Sequence, residues 1–161
     1  MGAGKSTVGR HLARQLNKQF VDSDQEIEKQ TGAVISLIFE IEGEEGFRER
    51  ESRIICKLAK RRNIVLATGG GAILLEENRR ALRRSGTVVY LHAPIETQIK
   101  RTGSSKHRPL LDTDDPAARL EALMKVREPI YRSEADIIIH CDNRSTHSVV
   151  REVIRRLNDA T

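Results

Sequence analysis

Amphipathic segments alternate along the chain with short segments that are apolar throughout. Val8, Leu12 and Leu16 recur every four residues and predict an amphipathic helix near the amino end. Residues 64–68 form a continuous apolar run that ends in three glycines. Such a run is typical of a strand buried on both faces of a parallel sheet. The pattern therefore predicts units in which a buried strand leads into a helix.

The same reasoning assigns the rest of the chain. Strands alternating with helices predict an α/β fold in three αβα layers around a parallel sheet, with ligands at the carboxyl ends of the strands. The polar segment 102–115 is long enough for a lid loop. The predicted strands are 20–22, 64–68, 87–92 and 137–139, and the further predicted helices are 25–30, 36–41, 44–62, 76–85, 116–128 and 148–158.

Composition narrows the functional classes. The 161 residues suit one domain, 1–161, with 38% hydrophobic and 32% charged residues. Neither a membrane-spanning run nor a leader is expected. The net charge of +5 suits an anionic partner, either nucleic acid or a phosphorylated small molecule. The few aromatic residues do not alternate with basic ones, which argues against a platform for stacking bases.

Cysteine and histidine give no sign of a metal site. Cys56 and Cys141 are far apart and lie in apolar segments, so we interpret them as reduced packing residues of a cytosolic protein. The five histidines lack ligand spacing.

The most specific motif is Gly2-Ala3-Gly4-Lys5-Ser6-Thr7, which matches the end of the phosphate-binding loop pattern. Its glycines let backbone N–H groups converge on phosphate oxygens, and the following helix adds its dipole. Lys5 would reach the β and γ phosphates, and Ser6 would ligate magnesium. A plain Gly-rich turn is the less favoured alternative.

The complete pattern has its first glycine five residues before Gly4, at a position ahead of Met1. The strand that feeds such a loop would also lie ahead of Met1. We therefore expect that the chain is shortened at its start, or that Met1 is an internal methionine. Without this strand, its neighbours should have unpaired backbone edges.

Other candidate residues have both ordinary and functional interpretations. Asp22 and Asp24 are predicted on one side of an extended segment, where two carboxylates can support a metal and accept a proton, although Asp24 could instead cap a helix. From composition alone, Arg48 would form surface ion pairs with Glu44 and Glu51. Arg127 would be one more exposed arginine at a helix end, the glycines 69–71 a tight turn, and Arg108 a solvated loop residue.

Several motifs, taken together and in order, resemble the shikimate kinase family, in particular its bacterial single-domain members. The resemblance covers nearly the whole chain and implies a P-loop kinase fold similar to that of nucleoside monophosphate kinases. It also implies ATP-dependent phosphorylation of the 3-hydroxyl of shikimate, in the biosynthesis of chorismate and aromatic amino acids. Its carriers are the Gly2–Thr7 motif, Asp22-Ser23-Asp24, Gly43-Glu44-Glu45-Gly46-Phe47-Arg48, Ala67-Thr68-Gly69-Gly70-Gly71, Arg108-Pro109-Leu110-Leu111 and Arg127-Glu128-Pro129-Ile130-Tyr131.

The resemblance also implies roles for single residues. Arg48 and Arg127 would bind the shikimate carboxylate, Asp24 would bind the hydroxyls and act as the base, and Asp22 would support magnesium together with Ser6. The acceptor-binding region would span about 25–62, and the family uses the glycine loop to bind the ring. The implied substrate-binding set is Asp24, Arg48, Gly69, Gly70, Gly71 and Arg127, and the implied ATP-binding set is Gly2, Ala3, Gly4, Lys5, Ser6, Thr7, Arg101, Arg108 and Arg144.

In the lid, Arg108 would stabilise charge on the transferring phosphoryl group, as would Lys5. We expect Mg²⁺ as the cofactor, ATP and shikimate as partners, no nucleic acid or membrane, and a cytoplasmic monomer. The alternatives are another small-metabolite kinase such as gluconate kinase, a nucleic-acid-binding ATPase, and an inactive shortened form.

Overall fold

The computed structural model describes residues 2–102 and 109–159. Within them, helices and strands follow one another in the predicted alternation. Short 3-10 turns at Ala72–Leu74 and Pro109–Leu111 interrupt the connections. The elements are α1 (Lys5–Gln15), β1 (Gln19–Asp22), α2 (Ser23–Thr31), α3 (Ile35–Leu58), β2 (Ile64–Ala67), α4 (Glu76–Ser85), β3 (Val89–His92), α5 (Ile95–Thr102), α6 (Pro116–Glu134), β4 (Ile137–His140) and α7 (Thr146–Asp159).

The strands form two parallel pairs. β1 pairs with β2 in the register Gln19 to Ile64, and β3 pairs with β4 in the register Val89 to Ile137. The predicted parallel α/β architecture is therefore confirmed. Among the described residues, however, β2 and β3 are not hydrogen-bonded to each other, so each has one unpaired edge. The expected single sheet is thus two half-sheets.

Apolar side chains cover both faces of the strands. One core cluster joins α1, β3, β4 and α7, and Val65 of β2 packs against it. A second cluster joins α2 and α3, and there the neighbouring Ile64 and Leu66 of β2 make the contacts. Successive strand residues point to opposite faces, so this alternation places one helical layer on each side.

The boundaries of the helices agree only in part with those predicted from the sequence. The predicted break between the helices 36–41 and 44–62 is present as a kink at Gly43, where φ is 70°. The second of these helices ends at Leu58, earlier than predicted. Helix α6 continues past Pro129 to Glu134, because one proline removes only one N–H donor while the packing of Tyr131 is retained. Helix α5 was missed by the sequence analysis.

No helix in the described ranges is long and apolar enough to cross a membrane.

Candidate active site

A pocket of about 600 Å³ opens where the strands end. It is lined by Asp22 at the end of β1, by Thr68 after β2 and by Cys141 after β4, so the carboxyl ends of these strands meet at one edge. This is the edge at which parallel sheets bind ligands. Residues at the start of α1 and residues of α3 also line the pocket.

The pocket brings together the residues that the sequence analysis selected. All of them line it except Arg108, which lies outside the described residues together with the centre of the predicted lid. The roles of these side chains remain predictions, but their assembly in one place is a feature of the structure. The lining residues selected from the sequence are Gly2, Ala3, Gly4, Lys5, Ser6, Thr7, Asp22, Asp24, Arg48, Gly69, Gly70, Gly71, Arg101, Arg127 and Arg144.

The phosphate-type loop leads directly into α1. Gly4 caps the helix with φ of 83°, a left-handed conformation that glycine adopts without strain. No side chain caps this helix end, and its first turn lines the pocket. Arg101 of α5 donates to the carbonyl of Gly2 at 3.1 Å. The geometry is that of an anion-binding helix terminus.

Asp22 connects this loop to the neighbouring strand. Its Oδ2 accepts from Ser6 Oγ at 2.8 Å, while its Oδ1 accepts from the backbone of Asp24 at 3.0 Å. Asp22, and not Asp24, is therefore the cap of α2. The predicted extended segment is also wrong, because α2 already begins at Ser23. Asp24 lies in the first helical turn, and its carboxylate is left for the pocket.

Ser6 and Asp22 offer a hydroxyl and a carboxylate side by side. Within the described ranges, no group of three or more acidic, histidine or cysteine side chains could hold a metal by itself. Mg²⁺ rarely needs such a cage, because it binds one or two carboxylates together with waters and substrate phosphates. The oxygen donors present therefore fit a magnesium ion that arrives with a nucleotide.

Arg48 is held by carboxylates on its own helix. Its guanidinium contacts Glu44 at 3.2 Å and Glu51 at 2.6 Å. The surface-pair interpretation fits Glu44, whose side chain is half-exposed, but it is wrong for Glu51, whose side chain is fully buried. Arg48 itself is only 12% exposed. Glu51 was missed as a site residue because its burial depends on the folding of the glycine loop over α3.

Asp24 and Glu51 approach each other beneath Gly69. A Cβ atom on Gly69 would lie 2.8 Å from Glu51 Oε1 and 2.9 Å from Asp24 Oδ1, so only glycine fits here. Neither of these two buried oxygens has a hydrogen-bond partner in the described part of the chain. Burial, assisted by the charges of Asp22 and Glu51, raises the pKa of Asp24 to about 6. Burial also raises the pKa of Glu51, against the opposing effect of Arg48.

Arg127 is a buried cation from α6. The residue is only 3% exposed, and the charges of Glu44 and Glu51 act on its guanidinium. Burial lowers the pKa of the guanidinium, and the Arg48 cation acts in the same direction. Tyr131, one turn later, hydrogen-bonds with Arg127 and donates its hydroxyl to the carbonyl of Gly70. The ordinary interpretation, an exposed arginine at a helix end, is therefore wrong, because Arg127 is buried and lines the pocket.

An apolar wall completes the acceptor side. Ile35, Phe39 and Phe47 of α3 line the pocket, and the two phenyl rings are 4.7 Å apart. The sequence analysis selected none of the three as a site residue. Only their helical spacing could have indicated them, and that spacing does not distinguish a pocket wall from a core.

Arg144 also lines the pocket, after β4. Its guanidinium donates to Ser148 Oγ at 3.0 Å and to the backbone carbonyl of Ser148 at 3.1 Å. The charges of Arg144 and Arg101 both act on Cys141, and Arg101 contacts the loop at Gly2. The charges of Arg48 and Arg127 act on each other and on Glu51. The pocket thus has two cationic regions, one beside the loop and one on α3 and α6, and the charges of Lys5 and Arg48 both act on the carboxylate of Asp24.

Comparison with known proteins places this arrangement in a family. A family model described as "Shikimate kinase" matches residues 1–158. The chain is 55% identical over 157 residues to the shikimate kinase of Pseudomonas syringae pv. tomato, covering 98% of this chain and 91% of that protein. It is 54% identical over 157 residues to that of Nitrosococcus oceani, covering 98% and 83%.

Solved structures agree. A shikimate kinase from Acinetobacter baumannii in complex with shikimate superposes with a TM-score of 0.98 at 46% identity, covering 100% of this chain and 90% of that one. The enzyme from Bacteroides thetaiotaomicron gives a TM-score of 0.89 at 31% identity, covering 98% and 94%. The fold is that of a P-loop kinase, and the chain belongs to the shikimate kinase family.

Proposed function

We propose that the pocket is the active site at which this kinase transfers the γ-phosphoryl group of ATP to the 3-hydroxyl of shikimate, giving shikimate 3-phosphate and ADP. The observation that carries the proposal is that one pocket combines a helix terminus suited to phosphate with Arg48, Arg127 and the buried carboxylate of Glu51. The solved relative from Acinetobacter baumannii holds shikimate, which supports the choice of acceptor.

ATP would bind at the amino end of α1. The backbone of the residues 2–7 surrounds the β and γ phosphates, Lys5 neutralises charge on the transferring group, and Arg101 and Arg144 lie towards the adenosine side. Ser6 and Asp22 would hold Mg²⁺, which when bound neutralises the β and γ phosphates. Arg108 stays a prediction for the lid, where it would stabilise the same charge on closure.

Shikimate would bind at the opposite end. Arg48 and Arg127 receive its carboxylate, because two guanidinium groups that act on each other in a buried site favour an added anion. The glycines 69–71 permit the ring to approach the backbone closely. Phe47 and Phe39 cover the apolar side of the ring.

Asp24 would be the base for the acceptor hydroxyl, because the charges of Lys5 and of Arg48 both act on its carboxylate. In the transfer, the hydroxyl oxygen bonds to the γ-phosphorus while the bond from that phosphorus to the bridging oxygen of ADP breaks. Asp24 orients the hydroxyl and takes its proton. A raised pKa near neutrality makes this carboxylate a better proton acceptor than an ordinary exposed aspartate.

The cellular setting follows from the same proposal. The enzyme would act as a cytoplasmic monomer with ATP and shikimate as its partners, and without nucleic acid or membrane. Both cysteines are free thiols, which fits a reducing compartment.

Acceptor-dependent release of ADP tests the proposal. Purified protein with Mg-ATP should release ADP with shikimate and not with gluconate, and the Lys5→Ala variant, purified identically, should lose that release. A preference for gluconate would identify another small-metabolite kinase. Release stimulated by nucleic acid and not by shikimate would identify an ATPase of a different class, and no release from folded protein would favour the inactive form.

A further inference from the structure

The glycine loop 69–71 lines the active-site pocket without side chains of its own that could anchor it. A Cβ atom on Gly69 would lie 2.9 Å from Asp24 Oδ1. A Cβ atom on Gly71 would overlap the guanidinium of Arg48. The backbone of the loop therefore packs directly against charged groups of the site, and neighbouring side chains have to hold it in place.

Gly70, at the centre of this loop, is held by the hydroxyl of Tyr131. The hydroxyl donates to the Gly70 carbonyl and also forms a hydrogen bond with the guanidinium of Arg127. Because a guanidinium can only donate, the tyrosine oxygen accepts in the second bond, and its own proton remains for the carbonyl. The three groups thus form a chain of fixed polarity, in which the cation donates to the hydroxyl and the hydroxyl donates to the loop.

The surroundings of Tyr131 keep its hydroxyl protonated and directed at the loop. Burial raises the pKa of the Tyr131 phenol above its ordinary value of 10, although the charge of Arg127 opposes this shift. The hydroxyl is therefore a donor at neutral pH. The ring is stacked on that of Tyr90, with 4.9 Å between the centroids and 25° between the ring planes, which restricts the directions in which the hydroxyl can point.

The next residues of the same segment are anchored by side chains of α4. Asn78 donates to the carbonyl of Ala72 at 2.9 Å, and Arg79 donates to the carbonyl of Ile73 at 2.7 Å. These described residues are not part of the pocket lining. Their bonds support the segment as structure, whereas the bond from Tyr131 connects the loop to an arginine of the site.

We propose that Tyr131 is a positioning residue for acceptor binding, which couples the carboxylate-binding Arg127 to the glycine loop so that the two receive the acceptor as one unit. This inference rests on the proposed function, because it takes the anion bound by Arg127 to be the acceptor carboxylate. Without the hydroxyl, the guanidinium and the loop would each lose a hydrogen-bond partner and could move independently. Binding of the acceptor should weaken, while binding of the nucleotide should not.

The variant Tyr131→Phe tests the proposal, because it keeps the stacked ring and removes only the hydroxyl. Steady-state kinetics with both substrates varied should show that the KM for shikimate rises about 10-fold, the loss typical of one hydrogen bond to a charged group. The KM for ATP should change less than about twofold.

Two control variants separate this effect from a general loss of structure. Tyr90→Phe removes a hydroxyl from the neighbouring ring that has no hydrogen-bond partner in the described part of the chain, so it should change neither KM. Arg79→Ala removes a structural anchor of the same segment, so it should lower the Tm and leave the ratio of the two KM values unchanged.

A double variant tests whether Tyr131 acts through Arg127. Calorimetry should show that Tyr131→Phe combined with Arg127→Ala binds shikimate no more weakly than Arg127→Ala alone. Additive losses would overturn the proposal, as would an unchanged KM for shikimate in Tyr131→Phe or an equal rise in both KM values.

Amide hydrogen exchange without ligands gives a readout that does not depend on the acceptor. Exchange at residues 69–71 should be faster in Tyr131→Phe than in Tyr90→Phe, and equal rates would overturn the coupling whatever the acceptor is. An unsubstituted chain that does not phosphorylate shikimate would instead overturn the proposed function, so the two failures can be told apart.

Discussion

The two ends of the active-site pocket are built in different ways. The nucleotide end is built around consecutive residues, because the loop from Gly2 and the first turn of α1 supply backbone donors, and Arg101 and Arg144 are added from later in the chain. The acceptor end is assembled from α2, α3, the glycine loop and α6, and its Glu51 and Arg127 are buried. In the proposed function, phosphate binding therefore depends mainly on a contiguous motif, whereas recognition of the acceptor depends on the tertiary fold.

The two ends also differ in the free-energy cost of substituting their residues. Charges at the acceptor end are withdrawn from water, so each requires a partner, and removing one leaves another uncompensated. At the nucleotide end, the backbone donors of the loop remain whichever single side chain is substituted, although Lys5, Arg101 and Arg144 add charges of their own. Single substitutions should therefore separate the two ends through their effects on the KM of one substrate and not of the other.

The largest expected effect is that of Asp24→Asn, which keeps the shape of the side chain and removes the base. We expect kcat to fall about 10²- to 10⁴-fold with little change in either KM, because proton transfer contributes in that range. Steady-state kinetics with both substrates varied would measure it. A loss confined to the KM for shikimate would mean that Asp24 only binds the acceptor.

Arg48→Ala should raise the KM for shikimate at least about 30-fold, because truncating one member of a buried charged pair costs about 2–5 kcal/mol. The KM for ATP should stay nearly unchanged. Arg53→Ala is the matched control, since Arg53 forms the same kind of pair with Glu49 on the same helix but is 77% exposed. An equal rise in both KM values would contradict the separation of the two ends.

Glu51→Gln should raise the KM for shikimate about 10-fold, because a hydrogen bond to a charged group is worth about 1.5–3 kcal/mol and the amide keeps only part of it. The change acts through Arg48, so the double variant with Arg48→Ala should be little worse than Arg48→Ala alone. Additive losses would show that Glu51 contacts the acceptor independently.

The pH dependence of catalysis sharpens the role of Asp24. Its pKa near 6 means that the carboxylate is increasingly protonated below pH 6, so kcat/KM for shikimate should fall about tenfold per unit there. Buffers from pH 4.5 to 8 with constant ionic strength would measure the profile. A flat profile through pH 6 would count against Asp24 as the base.

The contribution of Asp24 to the stability of the fold should change with pH in the direction opposite to that of activity. The pKa of Asp24 is higher in the folded protein than its ordinary value of 3.8, so the folded state binds more protons between about pH 4 and 6. Its charge therefore destabilises the fold above pH 6, and this penalty disappears as the pH falls. Asp24→Asn should raise the Tm at pH 8 and give a smaller gain at pH 5, measured by thermal unfolding. A lower Tm of the variant at pH 8 would contradict this.

Local patterns predicted the fold better than the site. Buried strands such as residues 64–68 and the kink at Gly43 follow from apolar runs and glycine, which act within a few residues. The unpaired edges of β2 and β3 in the described residues agree with the unpaired edges expected from the sequence. The predicted end of α6 at residue 128 was wrong, since the packing of Tyr131 outweighs the tendency of Pro129 to break the helix.

At the site, residue types alone favoured ordinary roles for Arg48 and Arg127, and only the family resemblance pointed to binding. The burial of these two arginines distinguishes a binding role from an ordinary one. It depends on contacts between α3, α6 and the glycine loop, which are far apart in sequence. The pairing of Glu51 with Asp24 beneath Gly69 depends on the same contacts. No local spacing encodes them.

The most direct test of the account is the affinity of the protein for shikimate and for its methyl ester, measured by calorimetry on the unsubstituted chain and on Arg48→Ala. If the buried arginines receive the carboxylate, the unsubstituted chain should bind shikimate at least about 30-fold more tightly than the ester, and Arg48→Ala should lose most of that preference. An unsubstituted chain that binds both equally, or a preference that survives Arg48→Ala intact, would contradict the account.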